Sequence, residues 1–208
     1  MSIVNAFVMR DVALIGVDTE SRFPDGSTGE ACKVLFLPHL SAAVAFRGID
    51  VAQAVATAQI QSFVGGFDEL AEAMPEIVRQ SVAVARDKAV NLFGVKAEYA
   101  EGSNFVLVGF SHAGNRMMGH AFVTWPGSPD VEVNRDFPQA ISPFWSQDDI
   151  TRLNIRTDKA GMRALALEQC RLARERLLAE AVAGGRLFIS EIRRGSITIE
   201  EVCDFPTR

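Results

Sequence analysis

The most constraining feature of the sequence is how closely its β-rich runs follow one another. IVNAFV (residues 3–8) and VALIGV (residues 12–17) are separated only by Met9-Arg10-Asp11. A link of that length suits a hairpin and is far too short for the crossover of a dozen or more residues that parallel strands require. The pattern recurs: KVLFLP and SAAVAFRG flank a turn at Pro38-His39, and RLFISEIRR and SITIEEVC flank Gly195. A polar, glycine-bearing loop, SRFPDGSTGEA, separates the first two pairs. Mid-chain, NFVLVGFS and MMGHAFVTW restore strand character, and VEVN offers a further short strand.

Between the strand blocks the texture is helical. Alanine-rich sequence runs from Ile49 to about Ser62 and stops at Gly65-Gly66. A second helix is predicted from about Phe67 to Phe93, in which Pro75 either introduces a kink or marks the first turn of a separate helix. Its apolar positions Val78, Val82, Ala85, Ala89 and Phe93 recur at three- and four-residue steps and form one stripe. PQAISPFWSQDDI reads as irregular; its Phe144 and Trp145, with the preceding Phe137, suit core packing or an interface patch. Residues 157–182 are strongly helical, capped by Thr157 or Asp158 and closed by Gly184-Gly185. Strands, two helices, strands, one long helix, strands: this order predicts an α+β sandwich of two antiparallel sheets flanked by helices, as one domain over residues 1–208.

Composition narrows the class. With 48% hydrophobic and 23% charged residues the chain has the make-up of a globular protein with a substantial core. The net charge is −5, and apart from the helical cluster Arg171, Arg174 and Arg176 the basic residues are scattered, which argues against a nucleic-acid partner. Cys32, Cys170 and Cys203 form an odd set without C-x-x-C spacing, which points to a reducing compartment and away from a disulfide framework or zinc site. No apolar run approaches the length of a membrane span and the start has no signal-peptide pattern, so a soluble cytoplasmic protein without membrane contact is expected.

The mid-chain motif Gly109-Phe110-Ser111-His112-Ala113-Gly114 contains G-x-S-x-x-G, close to the G-x-S-x-G of a nucleophile elbow. An elbow needs an acid and then a histidine downstream, yet the only histidines are His39, His112 and His120. The segment therefore reads as a strand end and hairpin loop. Histidines eight residues apart lack metal-ligand spacing, and neither glycine pair carries the lysine and serine of a phosphate loop. No cofactor or metal is expected.

The remaining candidate nucleophile is at the N-terminus. Ser2 follows Met1, and removal of Met1 would leave a hydroxyl and a free α-amine on one residue, the combination by which an N-terminal serine or threonine acts as both nucleophile and base. With Met1 in place the Ser2 nitrogen is an amide and no base. Lys33 is the candidate cation to lower the amine's pKa, and Asp18 the candidate to hold that cation.

SIVNAFVMRDVALIGVDTES, ACKVLF, AAVAFRGID and AVAGGRLFISEI together resemble the proteasome β-subunit family and its bacterial ATP-dependent relative, both N-terminal-nucleophile hydrolases. The correspondence runs without a gap from Ser2 to Asp18 and includes the Ala6-Phe7 pair; Lys33-Val34 follow after a one-residue deletion, and Gly184-Gly185 match the glycines that close the long helix. The resemblance implies a four-layer αββα sandwich, with Ser2 as nucleophile, Lys33 and Asp18 as its supports, and an oxyanion site from backbone amides near Phe46 and Arg47. It also implies a ring-like homo-oligomer, a polypeptide substrate, and an unfoldase or assembly partner. Three departures bear on activity. Phe46-Arg47-Gly48 stands where the family has a glycine-rich turn; the supporting serine has only Ser142 or Ser146 as candidates; and Ala183 replaces a serine found in many β-subunits. Two alternatives stay open: a catalytically silent structural subunit of a ring or larger particle, and a small-molecule amidase on the same fold.

Overall fold

The computed structural model describes residues 2–22, 27–48, 50–93, 102–143, 155–177 and 184–205. The first strands are β1 (Val4–Val8), β2 (Ala13–Asp18), β3 (Glu20–Arg22), β4 (Thr28–Glu30), β5 (Val34–Leu37) and β6 (Ala42–Arg47). Helices α1 (Asp50–Gln61) and α2 (Phe67–Phe93) follow, then β7 (Asn104–Ser111), β8 (Arg116–Thr124), β9 (Val131–Arg135) and β10 (Gln139–Ser142). Helix α3 (Lys159–Leu177) precedes β11 (Arg186–Arg193) and β12 (Ser196–Asp204).

Two five-stranded sheets, ordered β10-β1-β2-β11-β12 and β5-β6-β7-β8-β9, are antiparallel throughout. Strand alternation sends one set of side chains between the sheets and the other towards helices. Val4, Ala6, Ile15, Val17, Ala43, Ala45, Val106 and Val108 fill the space between the sheets. Phe7 and Leu14 pack with Met162, Leu165 and Ala166 of α3. Val44, Phe46, Phe105 and Leu107 pack under α1 and α2. Three apolar layers thus separate four layers of structure, the α+β sandwich expected. Helix α1 is held by Ala52, Ala56 and Ile60, one face at four-residue steps; Val78, Val82 and Ala85 of the expected α2 stripe are buried.

Several expectations need correction. Of the two readings of Pro75 the separate helix is excluded: α2 is one helix across it, because its buried face (Leu70, Met74, Val78) continues past the proline and outweighs the lost N–H. The polar loop after β2 contains a two-stranded hairpin, β3-β4. The start of PQAISPFWSQDDI is also regular: Gln139–Ser142 pairs with β1 as an edge strand, where flanking prolines are tolerated. Phe137 is buried between the sheets, as core packing predicts; Phe144 and Trp145 lie outside the described residues. Asp158 is the cap of α3, its Oδ1 accepting from Gly161 N at 2.7 Å. No helix among the described residues is long and apolar enough to cross a membrane.

One buried polar contact locks α3 to the sheet. Asn5 and Gln169, 0% and 2% exposed, exchange side-chain amide hydrogen bonds of 2.6 and 3.1 Å. Gln169 Nε2 also donates to the Pro143 carbonyl at 2.8 Å, and Asn5 Oδ1 accepts from Ser142 N at 3.3 Å. Gln169→Leu strands the Asn5 amide in the core and should cost about 1–3 kcal/mol in urea unfolding; adding Asn5→Leu should recover part of that loss.

His120, on β8, is buried beside the Phe67 ring, its Nδ1 without a partner among the described residues. Burial pushes its pKa below 6.5, helped by Arg135 and opposed by Asp136, Glu72 and Asp68. The unfolded chain therefore binds this proton more readily, so the contribution is complete above 6.5 and lost as pH falls through the folded value. Between about pH 7.5 and about pH 5.5 the urea midpoint should fall more for the wild type than for His120→Phe.

Candidate active site

The β1-β2 hairpin sets the first part of the site. Val4 pairs with Val17, so the residues before β1 lie beside the end of β2. Ile3 N donates to Asp18 Oδ1 at 2.8 Å, which fixes half-buried Ser2 next to that carboxylate. Lys33, just before β5, reaches across from the other sheet. Its ammonium donates to Asp18 Oδ1 at 2.8 Å, to Ser2 Oγ at 3.1 Å and to the Glu20 carbonyl at 2.6 Å. Three donors meet three acceptors, which satisfies the lysine completely.

Asp18 and Lys33 are 0% and 4% exposed. Burial pushes the Asp18 carboxyl up from its ordinary value, while Lys33 and the amides of Ile3 and Gly184 pull it back. The second carboxylate oxygen, Oδ2, accepts from Gly184 N at 3.2 Å. Gly185 explains how the chain gets so close: its φ is +69° and a Cβ there would stand 2.5 Å from Thr19 Oγ1. Thr19 Oγ1 in turn accepts from Arg186 N at 2.9 Å. The glycine pair, which the sequence marks only as a helix stop, also brings a backbone donor to Asp18.

Ser2, Asp18 and Lys33 thus come together as one hydrogen-bonded chain. Phe46 and Arg47 are placed differently. The Phe46 amide donates to the Lys33 carbonyl at 2.8 Å, and its ring packs edge-on against Phe105 under the helices. That N–H holds Lys33 in place and is not available to an oxyanion. Arg47 ends β6, paired with Asn104. Strand N–H groups alternate sides, so the next one directed as Phe46's is belongs to Gly48. Its φ of +124°, with Ser103 Oγ 2.5 Å from a would-be Cβ, makes glycine necessary there. Ser142 stands opposite Val4 on β10, its amide bound to Asn5. Ser146 and Ala183 lie outside the described residues.

Ser111 ends β7 and a turn leads directly into β8. Its hydroxyl accepts from Gly114 N at 2.8 Å, closing that turn, and exposed His112 stacks edge-on against Phe110. A strand-turn-strand hairpin has no nucleophile elbow. Among the described residues no three or more His, Cys, Asp or Glu side chains converge as metal ligands.

No family model matches the chain, and no curated protein matches it. Among solved structures it is similar to the Anbu (Gly-1) mutant from Hyphomicrobium sp. strain MC1, with a TM-score of 0.62 at 13% identity, over 97% of this chain and 87% of that one. The fold is proteasome-like. The likeness extends over nearly the whole chain and concerns the fold.

The ion pair is also a stability element. Lys33→Met leaves Asp18 buried without its cation and should cost about 3–5 kcal/mol in urea unfolding, with part of that recovered in Lys33→Met/Asp18→Asn.

Proposed function

We propose that the chain is an N-terminal-nucleophile hydrolase of amide bonds, with polypeptide as its substrate class. The observation that supports this reading is the hydrogen-bonded run from Ser2 Oγ to Lys33 Nζ to Asp18 Oδ1, at 3.1 and 2.8 Å. A serine hydroxyl that accepts from an ammonium keeps its own proton available for removal, and the positive charge stabilises the oxygen as it becomes nucleophilic.

Once Met1 is removed, the Ser2 α-amine takes the hydroxyl proton as Oγ bonds to the carbonyl carbon. The carbonyl oxygen carries the negative charge of the tetrahedral intermediate, and the Gly48 amide is its proposed donor. The amine then passes its proton to the departing nitrogen as the C–N bond breaks, leaving an ester on Ser2. Water attacks the ester, the amine accepts a proton from it and returns one to Oγ, and the acid product leaves. Lys33 lowers the amine's pKa throughout, and Asp18, fixed by Ile3 and Gly184, holds Lys33.

The protein is proposed to act as a ring-like homo-oligomer that receives chains from an unfoldase. A catalytically silent structural subunit is the second reading; Arg47, the residue before the proposed donor Gly48, is bulky within a turn that is glycine-rich in the family it resembles, which favours it.

Intact-mass spectrometry of the native protein, before and after a β-lactone that acylates hydroxyl nucleophiles, distinguishes the two. The expected result is a chain lacking Met1 and one adduct mapping to Ser2, absent in Ser2→Ala and at least about 100-fold slower in Lys33→Met. A retained Met1 without an adduct would leave the silent subunit.

A further inference from the structure

Beside the Ser2 site, and not including Ser2 among its walls, lies a slot of about 310 Å³ between the two sheets. It is flanked by β5 and β12, the outer strands of their sheets on this side. Its walls are the inward-facing apolar side chains Val17, Val34, Phe36 and Phe188, and Ile199, 54% exposed, also lines it. Cys32, Lys33 and the Arg186–Glu30 ion pair also line the slot.

Ser190 is the anomaly in this slot. It is 1% exposed, on the wall formed by β11, and its hydroxyl has no hydrogen-bond partner among the described residues. The hydroxyl is open to the slot, so an uncharged ligand that hydrogen-bonds to it gains more than one that only fills the space. The charges lining the slot have partners already: Arg186 pairs with Glu30 and Glu201, and Lys33 with Asp18. An ionised ligand would be desolvated with no free countercharge to receive it. The volume lies at the small end of ligand pockets, which run from about 300 to 1,000 Å³. Phe36 and Phe188 offer aromatic surface from the two sheets, and ring–ring contacts add to simple burial.

We propose that this slot is a binding site for a small aromatic ring bearing a neutral hydroxyl, the ring lying against Phe36 and Phe188 and the hydroxyl meeting Ser190. The site does not depend on Ser2 being a nucleophile.

Calorimetric titration of the full chain with p-cresol and with toluene tests it. Saturable one-to-one p-cresol binding is expected. Ser190→Ala should lower the p-cresol affinity relative to that of toluene by about three- to ten-fold, the worth of one hydrogen bond. Ser190→Leu should abolish binding of both with the circular dichroism unchanged. Saturating p-cresol should also slow alkylation of Cys32 without altering that of Cys203. Absence of saturable binding to the wild type would overturn the proposal. So would a p-cresol-to-toluene ratio indifferent to Ser190→Ala, or a Cys32 rate unmoved by ligand.

Discussion

The Lys33–Asp18 pair is the interaction on which the candidate site depends. It joins the two sheets at one corner: Asp18 ends β2 in one, Lys33 directly precedes β5 in the other, and both are sealed from water. Taking two charges out of water is unfavourable unless their remaining hydrogen-bonding groups are also met. Here they are. Ile3 and Gly184 serve the carboxylate, while Ser2 and the Glu20 carbonyl serve the ammonium. Those partners come from three places in the chain, the N-terminus, the start of β3 and the segment after α3, so the corner forms only when these and both sheets have reached their places.

That dependence runs from backbone to chemistry. The β1-β2 register puts Ser2 beside Asp18, and the left-handed Gly185 allows the chain to lie against Thr19 and direct the Gly184 amide at the carboxylate. The Phe46 amide anchors the Lys33 carbonyl while the side chain of Lys33 reaches Ser2. The Phe46 amide, expected near the oxyanion, instead steadies the lysine, and the proposed oxyanion donor is the Gly48 amide.

Much of the sandwich was legible in the sequence because hairpin-length links leave antiparallel pairing as the only option, and because the stripes of α1 and α2 repeat at helical steps. What was hidden depends on distant partners. Gln139–Ser142 is four residues between prolines with little strand character of its own, and becomes a strand only because β1 offers an edge. The Asn5–Gln169 contact joins residues 164 apart in the chain, and nothing local marks either as buried. Of the candidate site, Ser2, Asp18 and Lys33 could be named from their chemistry and from family resemblance. The direction of the Phe46 N–H could not, since it depends on which backbone groups of β5 and β6 face each other, which no single residue marks.

The most direct measurement is the titration of the Ser2 α-amine by nitrogen-15 NMR, in protein prepared with serine as its first residue. A half-buried amine on the residue that Lys33 contacts should titrate below the ordinary range of about 7.7–8.0, and return towards it in Lys33→Met. A value at or above that range, unchanged by Lys33→Met, would contradict the account: the amine would then be no better a base than any other N-terminus, and the Lys33–Asp18 pair a structural tie between the sheets.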